Sequence, residues 1–124
     1  ERAAGRDWQV AAGGFWQLHT AAADTLARAV VGLVEATGGL AEGERALDLY
    51  GGAGLFAGAL VDRYPGLRVD LVESDTAACR QARRNLHSDA GARIVEAQVD
   101  RWLADGRLPH FDEWLRGRQP PERL

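Results

Sequence analysis

The stretch Leu47-Asp48-Leu49-Tyr50-Gly51-Gly52-Ala53-Gly54-Leu55-Phe56 decides the fold of this chain. A short apolar run leads into a glycine-rich segment, and a second apolar run with helical character follows it. Glycine lets the backbone turn sharply and lets a ligand approach without an intervening Cβ atom. The N–H groups at the start of a following helix point at whatever is bound there. The stretch therefore predicts a strand, a glycine turn and a helix that together hold the polar part of a ligand.

The segments on either side of this turn alternate between helices and strands. We predict strands over 45–50, 68–73 and 92–97, and helices over 20–37, 55–64, 76–87 and 99–104. Ser74 or Asp75 can cap the third helix, and Asp24 and Arg28 lie four apart on the first. The apolar residues that indicate the first helix by their spacing are Leu26, Ala29, Val30, Leu33 and Val34. Alternating strands and helices predict an α/β fold with a parallel sheet and right-handed crossovers.

An acidic residue follows the glycine turn at the distance that a nucleotide-binding fold requires. Glu73 ends the second predicted strand, 21 positions after Gly52. Folds of this kind place an acid about 20 residues beyond the turn, where it holds ribose hydroxyls. The turn and Glu73 together therefore predict a nucleoside ligand. The alternative is a tight turn with no ligand and a solvated acid at the strand end.

Two nucleoside ligands fit the turn. Gly52, Gly54 and Ala57 allow a dinucleotide pattern with alanine in the third place. S-adenosylmethionine instead has a carboxylate that suits backbone N–H groups and an ammonium that suits an acid such as Asp48. We favour S-adenosylmethionine and keep a dinucleotide as the alternative. A phosphate-binding loop of the Walker type is excluded because the chain has no lysine.

Composition limits the remaining classes. The chain has 124 residues, of which 46% are apolar and 27% charged, and a net charge of −3, so bulk positive charge does not drive nucleic-acid binding. The single cysteine excludes an internal disulfide and a multi-cysteine zinc site, and we expect no metal and a reducing cytoplasm. No stretch reaches the roughly 18 apolar residues that suggest a membrane span. Because methionine is absent, we expect a piece of a longer protein.

The chain resembles the RNA 5-methyluridine methyltransferases, a class I S-adenosylmethionine-dependent family that modifies uridine in transfer RNA or 23S ribosomal RNA. The resemblance covers roughly 8–103 and lies in three segments: Gly14-Phe15-Trp16-Gln17-Leu18-His19, the Asp48–Phe56 stretch and Val72-Glu73. It implies a Rossmann-like methyltransferase fold truncated to three parallel strands, in the order third, second, first, with the first at an open edge. It also implies an RNA substrate and no membrane association.

The resemblance assigns roles residue by residue. Gln17 matches a glutamine that contacts the methyl donor, Tyr50 an aromatic residue beside it, Glu73 the ribose-binding acid and Gln98 a position at the adenine edge where the family often has Asp. Gly51 stands where the family usually has Cys, a small change that we expect to be harmless. The complete set of candidate cofactor-binding residues is Gln17, Asp48, Tyr50, Gly51, Gly52, Gly54, Leu55, Glu73 and Gln98.

The family's chemistry needs residues that this chain is expected to lack. Members attack uracil with a cysteine thiolate, and a base later removes the ring proton. An Asp-Pro-Pro-Arg-like segment on a fourth strand completes the site, and Pro120-Pro121-Glu122-Arg123 does not match it. Cys79 lies within a helix on its apolar side and is read as a small core residue. We therefore expect no catalytic residue here and an inactive chain on its own.

The predicted organisation has three parts: an extended lead-in over 1–16, with a short strand at 8–10 and a turn at Gly13-Gly14; the cofactor-binding half of a methyltransferase domain over 17–107; and a tail over 108–124 with a short helix. A missing C-terminal half or another chain is expected to cover the sheet edge. A methyltransferase of another substrate class and a non-catalytic binding domain stay open as alternatives.

Overall fold

The computed structural model describes residues 2–8 and 20–105. The elements in chain order are β1 (Arg2–Ala3), β2 (Arg6–Asp7), α1 (Thr20–Ala36), β3 (Arg45–Leu49), α2 (Leu55–Arg63), β4 (Arg68–Glu73), α3 (Thr76–Asn85), β5 (Ala92–Glu96) and α4 (Val99–Ala104). The three predicted strands and four predicted helices are confirmed, with ends that differ by at most two residues. Across the described ranges, no helix combines the length and the apolar character needed to cross a membrane.

The main sheet has three parallel strands in the order β3-β4-β5. Leu49 pairs with Val72, and Glu73 pairs with Glu96, so the three strands end at the same edge. The predicted order is confirmed, and β3 pairs on one side only among the described strands. Because the strands are parallel, the segments that follow them meet at the carboxyl edge, where folds of this type bind ligands.

Helices cover both faces of the sheet, as the side-chain alternation of β4 requires. Val69 and Leu71 point to one face, where they are fully buried against α2, α3 and part of α1. Val72 points to the other face and packs against Val99 and Trp102 of α4. The central strand is therefore buried on both sides, and its buried Asp70 is paired with Arg45 and Arg93 on the neighbouring strands. Trp102 is a packing residue of this face.

Helix α1 was predicted correctly, but its apolar periodicity does not mark the side that is buried. Ala23 and Ala27 are buried, whereas 52% of Leu26 and 69% of Leu33 are exposed. The buried side packs on α2 and on a small cluster formed by Ala3 and Trp8. Small alanines permit this close approach, and Val34 of the predicted apolar set packs partly against the main core.

The N-terminal residues form a small hairpin that docks on the helices. Strands β1 and β2 pair antiparallel, with Arg2 opposite Asp7. The predicted strand at 8–10 is wrong at Trp8, which follows β2, is buried, and donates its indole N–H to the carbonyl of Ala3 at 2.8 Å. This side-chain bond joins the residue that follows β2 to the end of β1. The remainder of that strand, the turn at Gly13-Gly14 and the tail over 108–124 lie outside the described residues.

Candidate cofactor site

The glycine turn folds back over the carboxyl edge of the sheet directly after β3. The N–H groups of Tyr50 and Gly51 both donate to the carbonyl of Val72 on β4, at 2.8 and 3.3 Å. The N–H of Gly54 then donates to the carbonyl of Gly51 at 3.1 Å, which closes the turn just before α2. The predicted strand, turn and helix are thus present in the expected order.

Two glycines of the turn serve different needs. Gly52 has a φ of 58°, and a Cβ atom placed there would find no other atom within 4 Å, so its surroundings are open. Gly54 has a φ of 97°, and a Cβ atom there would lie 2.9 Å from a methyl carbon of Leu86. Gly52 therefore leaves space where a ligand can approach the backbone, while Gly54 allows the end of α3 to pack against the turn.

Gly51 is required by a neighbouring side chain. A Cβ atom at this position would lie 2.3 Å from Cγ of Leu71, which is fully buried on β4. The expected harmlessness of glycine here has a physical reason, because Leu71 fills the space that a larger residue would occupy. The two positions therefore form one packing unit beneath the turn.

Glu73 joins the turn to the start of the next helix. Its Oε1 accepts a hydrogen bond from the N–H of Gly52 at 3.0 Å, and its Oε2 accepts one from the N–H of Asp75 at 2.9 Å. Asp75 in turn caps α3 by accepting from the N–H of Ala78 at 2.8 Å. The acid predicted to hold the ribose is thus aimed at the glycine turn.

Asp48 braces the start of α2 from within the sheet. Its Oδ2 accepts from the N–H of Ala57 at 3.2 Å, in the first turn of the helix. No side chain caps that helix at Gly54, so this bond satisfies one of its otherwise unpaired N–H groups. Burial raises the pKa of Asp48 to about 6; the bond from Ala57 opposes the shift, and the negative charge of Glu73 adds to it.

Tyr50 is held in an unusual conformation at the entrance to the turn. Its φ is 59°, a left-handed value that costs a residue with a Cβ atom about 1 kcal/mol or more. Its side chain is 74% exposed, so packing does not explain the strain. An exposed aromatic ring beside an open glycine turn can stack on a flat ligand group.

The other predicted residues are distributed as follows. Gln98 directly precedes α4 and follows β5, so it lies at the same edge as Asp48 and Glu73. Leu55 is the first residue of α2 and packs against the cluster containing Trp8. Gln17 lies outside the described residues. The structure thus brings the described candidates to one edge, although Leu55 also serves the core.

Cys79 has a structural role. It is fully buried on α3, and its thiol donates to the carbonyl of Glu73 at 3.2 Å. Burial raises its pKa, which disfavours the thiolate that a nucleophile needs. Cys79 therefore helps to hold the end of β4.

Sequence reasoning missed Asn85 and Leu86 at the end of α3. The side-chain amide of Asn85 donates to the carbonyl of Ala53 in the turn at 2.9 Å, and Leu86 packs against Gly54. They lie more than 30 positions after the turn, and no spacing rule connects them to it. Within the described residues, no group of three or more His, Cys, Asp or Glu side chains could hold a metal ion.

A parallel sheet with helices on both faces, a glycine turn after its first strand and an acid ending its second define a Rossmann-like nucleoside-binding domain. The sequence profile of the methyltransferase small domain family matches residues 21–112. The chain belongs to that family.

Two Streptomyces proteins are similar in sequence. One from Streptomyces avermitilis is 47% identical over 114 residues and one from Streptomyces coelicolor is 46% identical over 114 residues; both are named uncharacterized RNA methyltransferases. The matches cover 90% of this chain but only 25% and 24% of those proteins. The chain therefore spans about a quarter of the length of these relatives.

A solved methyltransferase has the same fold. Coclaurine N-methyltransferase, in a complex with N-methylheliamine and S-adenosylhomocysteine, aligns with a TM-score of 0.54 at 16% identity. The alignment covers 68% of this chain and 24% of that one. The predicted fold class, a Rossmann-like methyltransferase fold with three parallel strands among the described residues, is confirmed.

The packing of Gly51 against Leu71 predicts a compensating pair of substitutions. Gly51→Ala should destabilise the chain by about 1–3 kcal/mol because the added methyl group collides with Leu71. Leu71→Ala should cost about 2–5 kcal/mol, and the double variant should be more stable than the two losses added together predict, since the new methyl group enters the space that Leu71 vacates. Urea unfolding of the four proteins measures the coupling.

Gly52→Ala is the matched control for this cycle. It introduces the same methyl group in the same turn, at a position where no atom lies within 4 Å. Its effect should add to that of Leu71→Ala without coupling. Strict additivity in the Gly51 cycle would contradict the packing described here.

The raised pKa of Asp48 predicts a pH-dependent stability. Between the usual value of 3.8 and about 6, the folded chain binds a proton that the unfolded chain has released, so ionisation of Asp48 opposes folding as the pH rises. Asp48→Asn removes this titration and keeps an oxygen that can accept from Ala57. The free energy of unfolding of Asp48→Asn, minus that of the unsubstituted chain, should increase by about 2 kcal/mol from pH 4.5 to 7.5.

Urea unfolding at both pH values measures this difference. Glu42→Gln, at an exposed loop position, is the control and should give a nearly constant difference. A constant difference for Asp48→Asn as well would show that its ionisation carries no folding cost.

Proposed function

We propose that this chain is the S-adenosylmethionine-binding portion of an RNA uridine C5-methyltransferase that acts on ribosomal or transfer RNA in the cytoplasm. The observation that carries the cofactor assignment is the Glu73 carboxylate beside the open turn. Each of its oxygens accepts one backbone N–H, so each keeps capacity for a further hydrogen bond. A ribose offers two neighbouring hydroxyl donors, which match this remaining capacity.

The rest of the edge fits the other parts of the cofactor. The open space at Gly52 admits a carboxylate close to the backbone, and the exposed ring of Tyr50 supplies a flat apolar surface. Gln98 offers both a donor and an acceptor for the adenine edge. Gln17 is assigned to the cofactor by the resemblance alone.

Asp48 is proposed mainly as a brace for the turn. One of its oxygens is engaged with Ala57 in α2, and the other is available to an ammonium group. A cation close to Asp48 would favour its ionised form and so offset the cost of burying the charge. A pyrophosphate at the turn would lie near the Asp48 carboxylate, and this favours the methyl donor over a dinucleotide.

The RNA substrate and its uridine target rest on similarity. The two Streptomyces relatives are named RNA methyltransferases, and the motif pair over Gly14–His19 and Asp48–Phe56 resembles the 5-methyluridine family. The proposed nucleophilic cysteine and the base lie in other parts of the full-length protein, because the chain corresponds to only a quarter of its relatives. The chain alone is therefore proposed to bind cofactor without catalysing methyl transfer.

The outer edge of β3 is proposed to be covered by another part of the same protein. Among the described strands, β3 pairs only with β4. An uncovered edge presents unpaired backbone groups that invite association with other chains. A further strand from the full-length protein would satisfy those groups and extend the sheet.

Calorimetry with S-adenosylhomocysteine tests the cofactor assignment. The 124-residue chain should bind this ligand and should not bind NAD. Glu73→Gln should weaken binding by about 10–100-fold, because one oxygen of the charged acceptor pair is replaced by a donor that cannot receive a ribose hydroxyl.

The matched control is Glu96→Gln, which changes the residue paired with Glu73 on the adjacent strand. Glu96 is engaged with Thr76 and Arg83 and is not assigned to the ligand. It should leave the affinity within about twofold. Binding of NAD alone, or of neither ligand, would contradict the proposal.

Tritium release tests the uridine C5 assignment in the full-length protein that carries this sequence. RNA containing [5-³H]uridine is incubated with S-adenosylmethionine labelled with ¹⁴C in the methyl group. Each methyl group added at C5 replaces one hydrogen, which leaves as a proton, and one molecule of S-adenosylhomocysteine is formed. Tritium release and ¹⁴C incorporation should therefore be equimolar.

Incorporation of ¹⁴C without release of tritium would place the methyl group elsewhere and support a methyltransferase of another specificity. Absence of incorporation into any RNA would contradict the RNA substrate. Glu73→Gln in the same protein should lower both signals together, since both depend on the same cofactor.

A further inference from the structure

The peptide plane between Ala53 and Gly54 is held on both sides. On one side, the N–H of Gly54 donates to the carbonyl of Gly51 at 3.1 Å. On the other, the carbonyl of Ala53 accepts from the side-chain amide of Asn85 at 2.9 Å. Because the N–H and the carbonyl belong to one rigid plane, these two bonds together fix its orientation.

This plane needs support from outside the turn. It lies between Gly52 and Gly54, with φ values of 58° and 97°, and glycine tolerates several backbone conformations at little cost. A turn that is free to reorient would present its N–H groups in more than one direction. The bond from Asn85 restricts that freedom from a neighbouring element.

Asn85 is itself held by an arginine from the N-terminal hairpin. The guanidinium of Arg6 donates to the backbone carbonyl of Asn85 at 3.3 Å. The same group binds Asp62 of α2 through two bonds of 2.6 Å, and Asp89 through bonds of 2.9 and 3.0 Å. Only 17% of the Arg6 side chain is exposed, and the two carboxylates raise its pKa further above its already high value.

The Arg6 contacts connect three elements behind the glycine turn. Asp62 lies on α2, Asn85 ends α3, and Asp89 lies in the connection from α3 to β5. A planar guanidinium with a fixed fork of donors sets the relative position of all three. The end of α3 therefore has little freedom to move away from the turn.

We propose that Asn85 is a positioning residue of the cofactor site, which acts by fixing the Ala53–Gly54 peptide plane while Arg6 fixes the helix end that carries Asn85. This inference rests on the proposed function, because the ligand is the proposed cofactor. Asn85 does not contact the ligand. Its effect on binding passes through the orientation of the backbone N–H groups at the turn.

Two substitutions and two measurements test this proposal in the 124-residue chain. Asn85→Asp keeps the size of the side chain but replaces its donor with an oxygen that repels the Ala53 carbonyl, and Asn85→Ala removes the group. Calorimetry should show that either variant binds S-adenosylhomocysteine about 10-fold more weakly. Amide hydrogen exchange by NMR should show faster exchange at Gly54, since its bond to Gly51 depends on the fixed plane.

Thr37→Val is the control variant. It removes a side-chain hydrogen bond of 2.8 Å, from the hydroxyl of Thr37 to the carbonyl of Val34 at the end of α1. The loss of one such bond should leave both the affinity and the exchange at Gly54 unchanged. Faster exchange throughout the core of a folded Asn85→Asp variant, with no larger change at Gly54, would show a general loss of stability and contradict the positioning role.

The outcomes separate this inference from the proposed function. If the unsubstituted chain binds S-adenosylhomocysteine and a folded Asn85→Asp variant binds it equally well, the positioning role is wrong and the cofactor assignment stands. If the unsubstituted chain does not bind the ligand, the cofactor assignment itself is wrong. If Asn85→Ala fails to fold, Asn85→Asp alone decides between these results.

Discussion

The candidate site depends on the two hydrogen bonds that the Glu73 carboxylate accepts, because they join backbone groups from two separate segments. Glu73 ends β4, and its two oxygens accept from Gly52 in the turn after β3 and from Asp75 at the start of α3. Hydrogen bonds to an ionised acceptor are stronger than those between neutral groups. One side chain thus fixes the turn against the neighbouring strand and also holds Asp75, the residue that caps α3. The parallel register places Glu73 at the right edge, and its charge makes the connection strong.

The glycine turn is supported from three directions before any ligand arrives. Glu73 holds Gly52, Asp48 holds the first turn of α2, and Asn85 holds the carbonyl of Ala53. Glycine allows the conformation of the turn but does not restrict the backbone to it, so neighbouring side chains must supply the rigidity. A site fixed in advance loses less conformational entropy on binding, and that saving appears as affinity. The three supports come from β4, β3 and α3, and the site is therefore a property of the whole sheet edge.

The sequence was sufficient for those parts of the structure that follow from local pattern. Apolar runs, the glycine turn and the cap at Asp75 predicted the elements over 45–104 and the edge that gathers Asp48, Glu73 and Gln98. It was insufficient where the structure depends on distant contacts. Arg6 binds Asp62 and Asp89, which lie 56 and 83 positions away, and no sequence periodicity predicts these contacts. The buried side of α1 was equally hidden, because its contacts use alanines and leave the more apolar leucines exposed.

Two features of the candidate site work against folding, and the proposed cofactor would offset both. Tyr50 adopts a left-handed conformation that packing does not require, and Asp48 carries a carboxyl whose ionisation is opposed by burial. Such features persist only where the surrounding structure determines them strongly, and here β3, β4 and α2 do so. Asp48 lies near the end of β3 and Tyr50 directly follows that strand, so both precede the open turn position at Gly52. The flat ring of a ligand would cover the exposed Tyr50 side chain, and a cationic group of the ligand would compensate the buried charge of Asp48. The proposed cofactor would therefore improve the environment of two residues that oppose folding.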